Sequence, residues 1–276
     1  MTPLCRHRNA NTSAQAACCD SLTRAKDIPM NHLHDATTQL ANNLWPTRYG
    51  VMTAANPESF AAQSLKAYGE WMEQEIELLS TVIEEGHTVL EFGAETGAHT
   101  LWLAKAVGER GQVHVTEPRR LTFQKLCANV ALNQLSNVYT YQRYLGRATG
   151  QGMITSGESK DEAFTVTTVD ELKLDALHLI KVNPQKALIN LLAGAAETIR
   201  KHRPIIYFRL SEIELAHAEV QAIKDLGYRA WSHVPYLYNP DNHVGSATNL
   251  FPGCVYQNVI ASPAEGNFQL DARHEL

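Results

Sequence analysis

The sequence contains no apolar run approaching the roughly 20 residues that a helix needs to cross a bilayer. Its first stretch also lacks the continuous apolar segment of a secretory signal, so residues 1–45 read as a poorly ordered extension rather than a targeting peptide. Positive charge is in short supply: 24 Lys and Arg stand against 29 Asp and Glu, a formal net charge of −5. An acidic whole gains nothing from polyanions, so neither a nucleic-acid partner nor an anionic membrane is expected. Cysteine is sparse, with 5 in 276 residues. Cys5, Cys18 and Cys19, with His7 nearby, match no standard zinc spacing, and no metal site is expected. Cys127 falls in a helical pattern and Cys254 near a strand, and reduced thiols of a cytoplasmic protein account for all five. The final Arg273-His274-Glu275-Leu276 is close to an ER-retention signal, but without a leader it is taken as chance.

What is present is a 44% hydrophobic chain long enough to bury a sizeable core. Residues 46–265 read as one folded domain with its own N-terminal helix, and 266–276 as a tail. From Ser59 to Ile83, apolar residues at Leu65, Tyr68, Trp71, Met72, Ile76, Leu79 and Val82 share one helical face. Strands and helices then alternate as in a parallel sheet. Strands are expected at Val89–Phe92, Gln112–Thr116, Val138–Arg143, Leu177–Val182 and Ile205–Phe208, then at Tyr228–Ser232 and Val255–Ala261. Helices are expected through Leu121–Leu132, over Ala187–His202 and over Ile213–Leu226, the last capped by Gly227. Gly146 to Lys160 reads as a loop or hairpin, and His233 to Pro252 as a long polar loop.

The chain is organised around Val89-Leu90-Glu91-Phe92-Gly93-Ala94-Glu95-Thr96-Gly97, a buried strand that turns through glycines into a helix. Such a turn needs permissive dihedrals, and the helix start offers free N–H groups to a ligand. The pyrophosphate fingerprint G-x-G-x-x-G is absent, and an acid, Glu91, ends the strand instead. After the next strand Glu117 can accept two hydrogen bonds from vicinal ribose hydroxyls. Two acids suit a nucleoside bearing positive charge better than one bearing phosphate.

At these residues the chain resembles the class I S-adenosylmethionine-dependent methyltransferases, whose first motif is an acid with glycines two and six positions on. More narrowly it resembles the FkbM-type methyltransferases, from about Tyr49 to about Pro263. The ordered matches are Tyr68-Gly69-Glu70-Trp71, Glu117-Pro118, Cys127 to Asn133, Thr168 to Leu172, Leu179 to Val182, His202-Arg203-Pro204 and Asn239-Pro240-Asp241-Asn242. The resemblance implies an α/β fold of the Rossmann-like class I methyltransferase type: a mostly parallel seven-stranded sheet with an antiparallel edge and helices on both faces. It implies S-adenosylmethionine as cofactor, bound by Glu91, Gly93, Ala94, Glu95, Gly97, Thr100 and Glu117. It also puts the end of the third strand beside the adenine, which makes Tyr144 a candidate neighbour of that ring, although with no motif there packing is its expected job. It gives Tyr68-Gly69-Glu70-Trp71 either a packing role or a covering one.

The fourth strand departs from the family pattern Ile-Asp-Val-Glu-Gly, running into Val182-Asn183-Pro184-Gln185-Lys186. Asn183 hydrogen-bonds but takes no proton at physiological pH, and Lys186 replaces a small residue. Glu95 and Arg209 are further departures. Three readings stay open. One is O-methyl transfer to a hydroxyl of a small molecule or sugar, with Asn183 positioning and His233 as base. The others are N-methyl transfer, after the Asn183-Pro184 pair, and a catalytically degenerate protein that binds a ligand or partner. His233 to Pro252, with Tyr236, Tyr238, Asn239, Asp241, Asn242 and His243, shapes a polar substrate mouth or is a solvated connection.

Overall fold

The computed structural model describes residues 43–54, 56–156 and 159–276. The expected extension, with its three cysteines, lies almost wholly outside them. A short hairpin, β1 (Trp45–Thr47) and β2 (Gly50–Met52), opens the described chain. The single helix expected from Ser59 to Ile83 is two, α1 (Phe60–Tyr68) and α2 (Glu73–Leu79). The apolar periodicity runs across the break and conceals it. Gly69 caps α1 in the left-handed region at φ 68°, where a glycine meets no Cβ penalty, and Met72 enters α2 at φ 53°.

Strand and helix then alternate: β3 (Thr88–Phe92), α3 (Ala98–Ala106), β4 (Gln112–Thr116), α4 (Arg120–Leu132) and β5 (Val138–Tyr141). The expected loop or hairpin belongs to a small three-stranded sheet of β6 (Tyr144–Leu145), β7 (Gly150–Ser156) and β8 (Ser159–Thr167). Next come β9 (Leu179–Val182), α5 (Leu188–Ala193), α6 (Ala196–His202), β10 (Ile205–Arg209), α7 (Ile213–Asp225), β11 (Tyr228–His233) and β12 (Asn258–Pro263). The helix expected over Ala187–His202 is thus also split. A Cβ at Gly194 would sit 2.0 Å from the Gly146 carbonyl oxygen, and Asp170 starts α6 afresh by accepting from Thr198 N at 2.8 Å and Thr198 Oγ1 at 2.6 Å.

The main sheet has seven strands in the order β11-β12-β10-β9-β3-β4-β5. Neighbours from β10 to β5 pair in parallel, while β12 lies antiparallel between β10 and β11. Alternation along each strand splits the core. Leu90, Phe92, Ile180, Val182, Ile206 and Phe208 pack with α5, α6 and α7 on one face. Val89, Val113, Leu179, Tyr207 and Ile260 pack with α2 and α3 on the other. This is the Rossmann-like class I methyltransferase fold. The last residues are part of it: Leu276 N donates to the Ala230 carbonyl at 2.9 Å and Glu275 pairs with Arg229 at 2.8 Å. Among the described residues no helix is long and apolar enough to cross a membrane.

Candidate active site

From β3 the chain moves through β4 to β5 in one direction and later returns to β9 and β10 in the other. Such a reversal opens a crevice at the carboxyl ends of the strands. A cavity of about 380 Å³ lies there, walled by the residues that follow β3, β4 and β9 and by the beginning of β12.

The glycine turn forms one wall. Gly93 and Gly97 take φ 73° and 88°, and a Cβ on Gly93 would lie 2.5 Å from Pro184 Cγ, so the turn after β3 presses on the turn after β9. Glu95 occupies the left-handed region between them at φ 53° and is exposed at the cavity mouth. Asn129, fully buried on α4, braces this turn from behind, donating to Thr96 O at 2.7 Å and to Thr53 O at 2.9 Å.

Glu91 and Glu117 are each 1% exposed. Glu91 Oε2 accepts from Thr100 Oγ1 at 2.6 Å, and Oε1 accepts from Asn183 Nδ2 at 3.1 Å. Glu117 Oε2 accepts from Glu95 N at 3.1 Å, while Oε1 accepts from Arg119 N at 3.0 Å and Arg119 Nε at 2.9 Å. The acid expected to receive a ribose is therefore engaged by the guanidinium two residues on. Of the residues expected to bind the cofactor, Glu91, Gly93, Ala94, Glu95 and Glu117 line the cavity, whereas Gly97 and Thr100 stand behind it.

Asn183 lines the cavity with its amide committed. Besides Glu91, its Nδ2 donates to Gly93 O at 3.2 Å, and Lys181 Nζ donates to its Oδ1. Lys181 is 2% exposed and pairs with buried Glu75 at 3.0 Å. Glu75 in turn accepts from Asn258 Nδ2 at 2.8 Å, and Asn258 Nδ2 reaches the Tyr207 hydroxyl at 2.7 Å. Burial pushes the Glu75 carboxyl up, but Lys181 above all, then His99, outweigh it and hold the group below its ordinary value. Burial depresses the His99 imidazole, with the Lys181 charge adding to it. Its Nε2 lies 3.1 Å from Trp71 O. Sequence reading singled out neither Lys181 nor Glu75. The signals were there: a lysine inside the apolar run Leu179–Val182, and an acid on the same helical face as Met72, Ile76 and Leu79.

His233 ends β11 outside the cavity lining, and its Nδ1 meets the Tyr207 hydroxyl at 2.9 Å. Lys186 points away as well, paired with Glu212 at 2.7 Å on the surface. Trp71 lines the cavity, its ring edge-on to Tyr256 at 6.0 Å. Tyr68 instead packs among Met72, Leu237 and Phe251, and its hydroxyl donates to Thr248 O at 3.0 Å. The loop from His233 to Pro252 puts no residue into the cavity wall. Asn239 Nδ2 and His243 N are bound at 2.9 Å and 2.8 Å by buried Glu70. Tyr144 does reach the wall, edge-on to Phe92 at 4.9 Å.

No family model and no curated protein matches this sequence. Several solved structures are similar to it. A SAM-dependent methyltransferase from Aquifex aeolicus has 18% identity over 72% of this chain and 92% of its own, with a TM-score of 0.41. The methyltransferase FkbM from Methylobacillus flagellatus has 15% identity and a TM-score of 0.47; the match covers 82% of this chain and 58% of the length of that one. A rRNA methylase from Streptococcus thermophilus has 11% identity over 70% of this chain and 95% of its own, with a TM-score of 0.44. The presence of an rRNA methylase among similar structures corrects the expectation that no nucleic acid is a partner. Net charge averages over the whole surface, whereas recognition depends on where charges lie, so −5 excludes no class of acceptor.

Proposed function

We propose that this cavity binds S-adenosylmethionine and that the protein is a methyltransferase acting on a hydroxyl of a small molecule or sugar. The observation that carries this reading is the pair Glu91 and Glu117, buried carboxylates at the ends of adjacent strands on either side of the Gly93–Gly97 turn and in one cavity. The residues fit the cofactor. A volume of about 380 Å³ lies in the small-molecule range. Glu117 offers two acceptor oxygens to ribose hydroxyls, Tyr144 and Phe164 offer aromatic surface, and Glu91 favours a cationic end. When bound, the cofactor supplies an electrophilic methyl group on a sulfonium.

The protein's own part is alignment and exclusion of water. Asn183, with both amide ends occupied, fixes Glu91 against the glycine turn. Trp71, Tyr207 and Tyr256 supply aromatic wall, and the Lys181–Glu75 pair stiffens the floor. Removal of the acceptor's proton falls to Glu95, whose carboxyl, exposed at the mouth but also lining the cavity, is raised above its ordinary value by partial loss of solvent, with Arg119 opposing and Glu117 adding to the rise. A second reading, a ligand-binding protein without turnover, is favoured by Arg119, which fills the Glu117 carboxylate that a ribose needs.

Incubation with methyl-labelled S-adenosylmethionine and a panel of hydroxylated acceptors separates the two. Formation of S-adenosylhomocysteine that depends on one acceptor and is lost in Glu95→Gln supports the transferase. Cofactor binding without turnover on any acceptor leaves the binding protein.

A further inference from the structure

We infer that Arg209 is an anion-binding residue for the methyl acceptor, so that the acceptor carries a carboxylate or phosphate beside the group to be methylated. This rests on the methyltransferase reading above. Arg209 is the last residue of β10 and lines the cavity. Its guanidinium lies over the Tyr256 ring at 3.5 Å from the centroid and also interacts with the Tyr256 hydroxyl, which fixes its plane and leaves its remaining N–H groups to make contacts. Among the described residues no carboxylate lies within ion-pair distance of it; Glu95 feels its charge from further away. The other cations of the cavity are committed, Lys181 to Glu75 and Arg119 to Glu117. A half-buried guanidinium held flat and left without an acid is a ready bidentate partner for a planar or tetrahedral anion.

Position assigns that anion to the acceptor rather than to the cofactor. Arg209 ends the strand that lies three places along the sheet from β4, whose end carries Glu117. At about 4.8 Å per strand the two are separated by roughly 14 Å across the sheet. Asn183 and the exposed Gln185, which follow β9, lie on the Arg209 side of the glycine turn. The cofactor acids thus mark one end of the cavity and Arg209 the other.

The test uses the full chain saturated with S-adenosylhomocysteine, titrated calorimetrically with small hydroxy-carboxylates (glycolate, 3-hydroxybenzoate), with glycerol 3-phosphate, and with the neutral partners glycolamide, 3-hydroxybenzamide and glycerol. The inference predicts that at least one anion binds tenfold or more tighter than its neutral partner, that Arg209→Gln removes the difference, and that Arg209→Lys keeps part of it. The carboxylate and phosphate arms tell which anion is preferred. S-adenosylhomocysteine affinity stays unchanged in Arg209→Gln. Equal binding of charged and neutral partners, or binding of no anion by the cofactor-loaded protein, overturns the inference and leaves the cofactor site standing. A loss of S-adenosylhomocysteine affinity in Arg209→Gln overturns it by placing the residue on the cofactor. If S-adenosylhomocysteine does not bind the wild type at all, it is the methyltransferase reading that fails.

Discussion

Asn183 Nδ2 lies 3.1 Å from Glu91 Oε1, so the residue that follows β9 holds the acid that ends β3. An amide serves where a second carboxylate would face the first. Asn183→Leu removes the donor and leaves a buried carboxylate oxygen short of a partner. The expected loss is about 1–3 kcal/mol of stability, together with about tenfold weaker S-adenosylmethionine binding, one decade being about 1.4 kcal/mol. Urea unfolding and calorimetry read the two effects separately. Unchanged affinity would show that the Asn183–Glu91 contact does nothing for the ligand.

Lys181 and Glu75 form a pair in which each partner is almost without solvent. Breaking such a pair from one side costs about 3–5 kcal/mol, because the other charge stays behind. Lys181→Met is therefore expected to lower the urea midpoint sharply, and Lys181→Met with Glu75→Leu to regain most of the loss. A double variant as unstable as the sum of the singles would show that the two charges do not act as a pair.

Arg119 holds Glu117 through a side chain that is 46% exposed. Because Glu117 is 1% exposed, Arg119→Ala takes a charged donor from a buried carboxylate and is expected to cost about 1–3 kcal/mol of stability. The same change takes the guanidinium off Glu117 and leaves only the backbone N–H groups of residues 95 and 119 donating to its carboxylate, so S-adenosylmethionine should bind several-fold more tightly. Weaker binding in Arg119→Ala would mean that the guanidinium helps to hold the cofactor instead of competing with it.

Burial lowers the imidazoles of His87, His99, His114 and His233 below the ordinary 6.5. The unfolded chain takes up these protons near pH 6.5 and the folded chain only at lower pH. Below pH 6.5 the unfolded state therefore binds more protons, and stability falls as pH drops until the folded-state values are passed. His99→Gln, which keeps a donor for Trp71 O, is expected to flatten the fall below about pH 6.5. Urea midpoints across that range provide the check, and an unaltered slope would exclude His99 as a contributor.

Much of the fold was legible because strand and helix periods differ, and the parallel strands are short apolar runs between breakers. The broken helices were not, because the break at Gly69 leaves the apolar spacing intact. Among the site residues, Glu91, Gly93 and Glu117 could be found from local spacing alone. Lys181 and Glu75 each interrupt an apolar pattern, but they meet with Asn258 only through the tertiary fold, which brings β9, α2 and β12 together, so no local pattern announces the cluster. Several residues within the matched motifs serve the scaffold: Asn129 and Asn133 tie α4 to β2 and its following residues, and Asp170 starts α6.

The proposed binding of S-adenosylmethionine in the cavity at the carboxyl ends of β3, β4 and β9 depends on Glu117 and on the glycine turn. Calorimetric titration of the wild type, Glu117→Ala and Gly93→Val tests it most directly. A valine at Gly93 would meet Pro184 and strain a backbone at φ 73°, while Glu117→Ala removes the ribose acceptor and leaves the turn in place. Micromolar binding by the wild type that is lost in both variants, with Glu117→Ala folded by circular dichroism, is the predicted result. No heat at millimolar cofactor, or equal binding by Glu117→Ala, would contradict it.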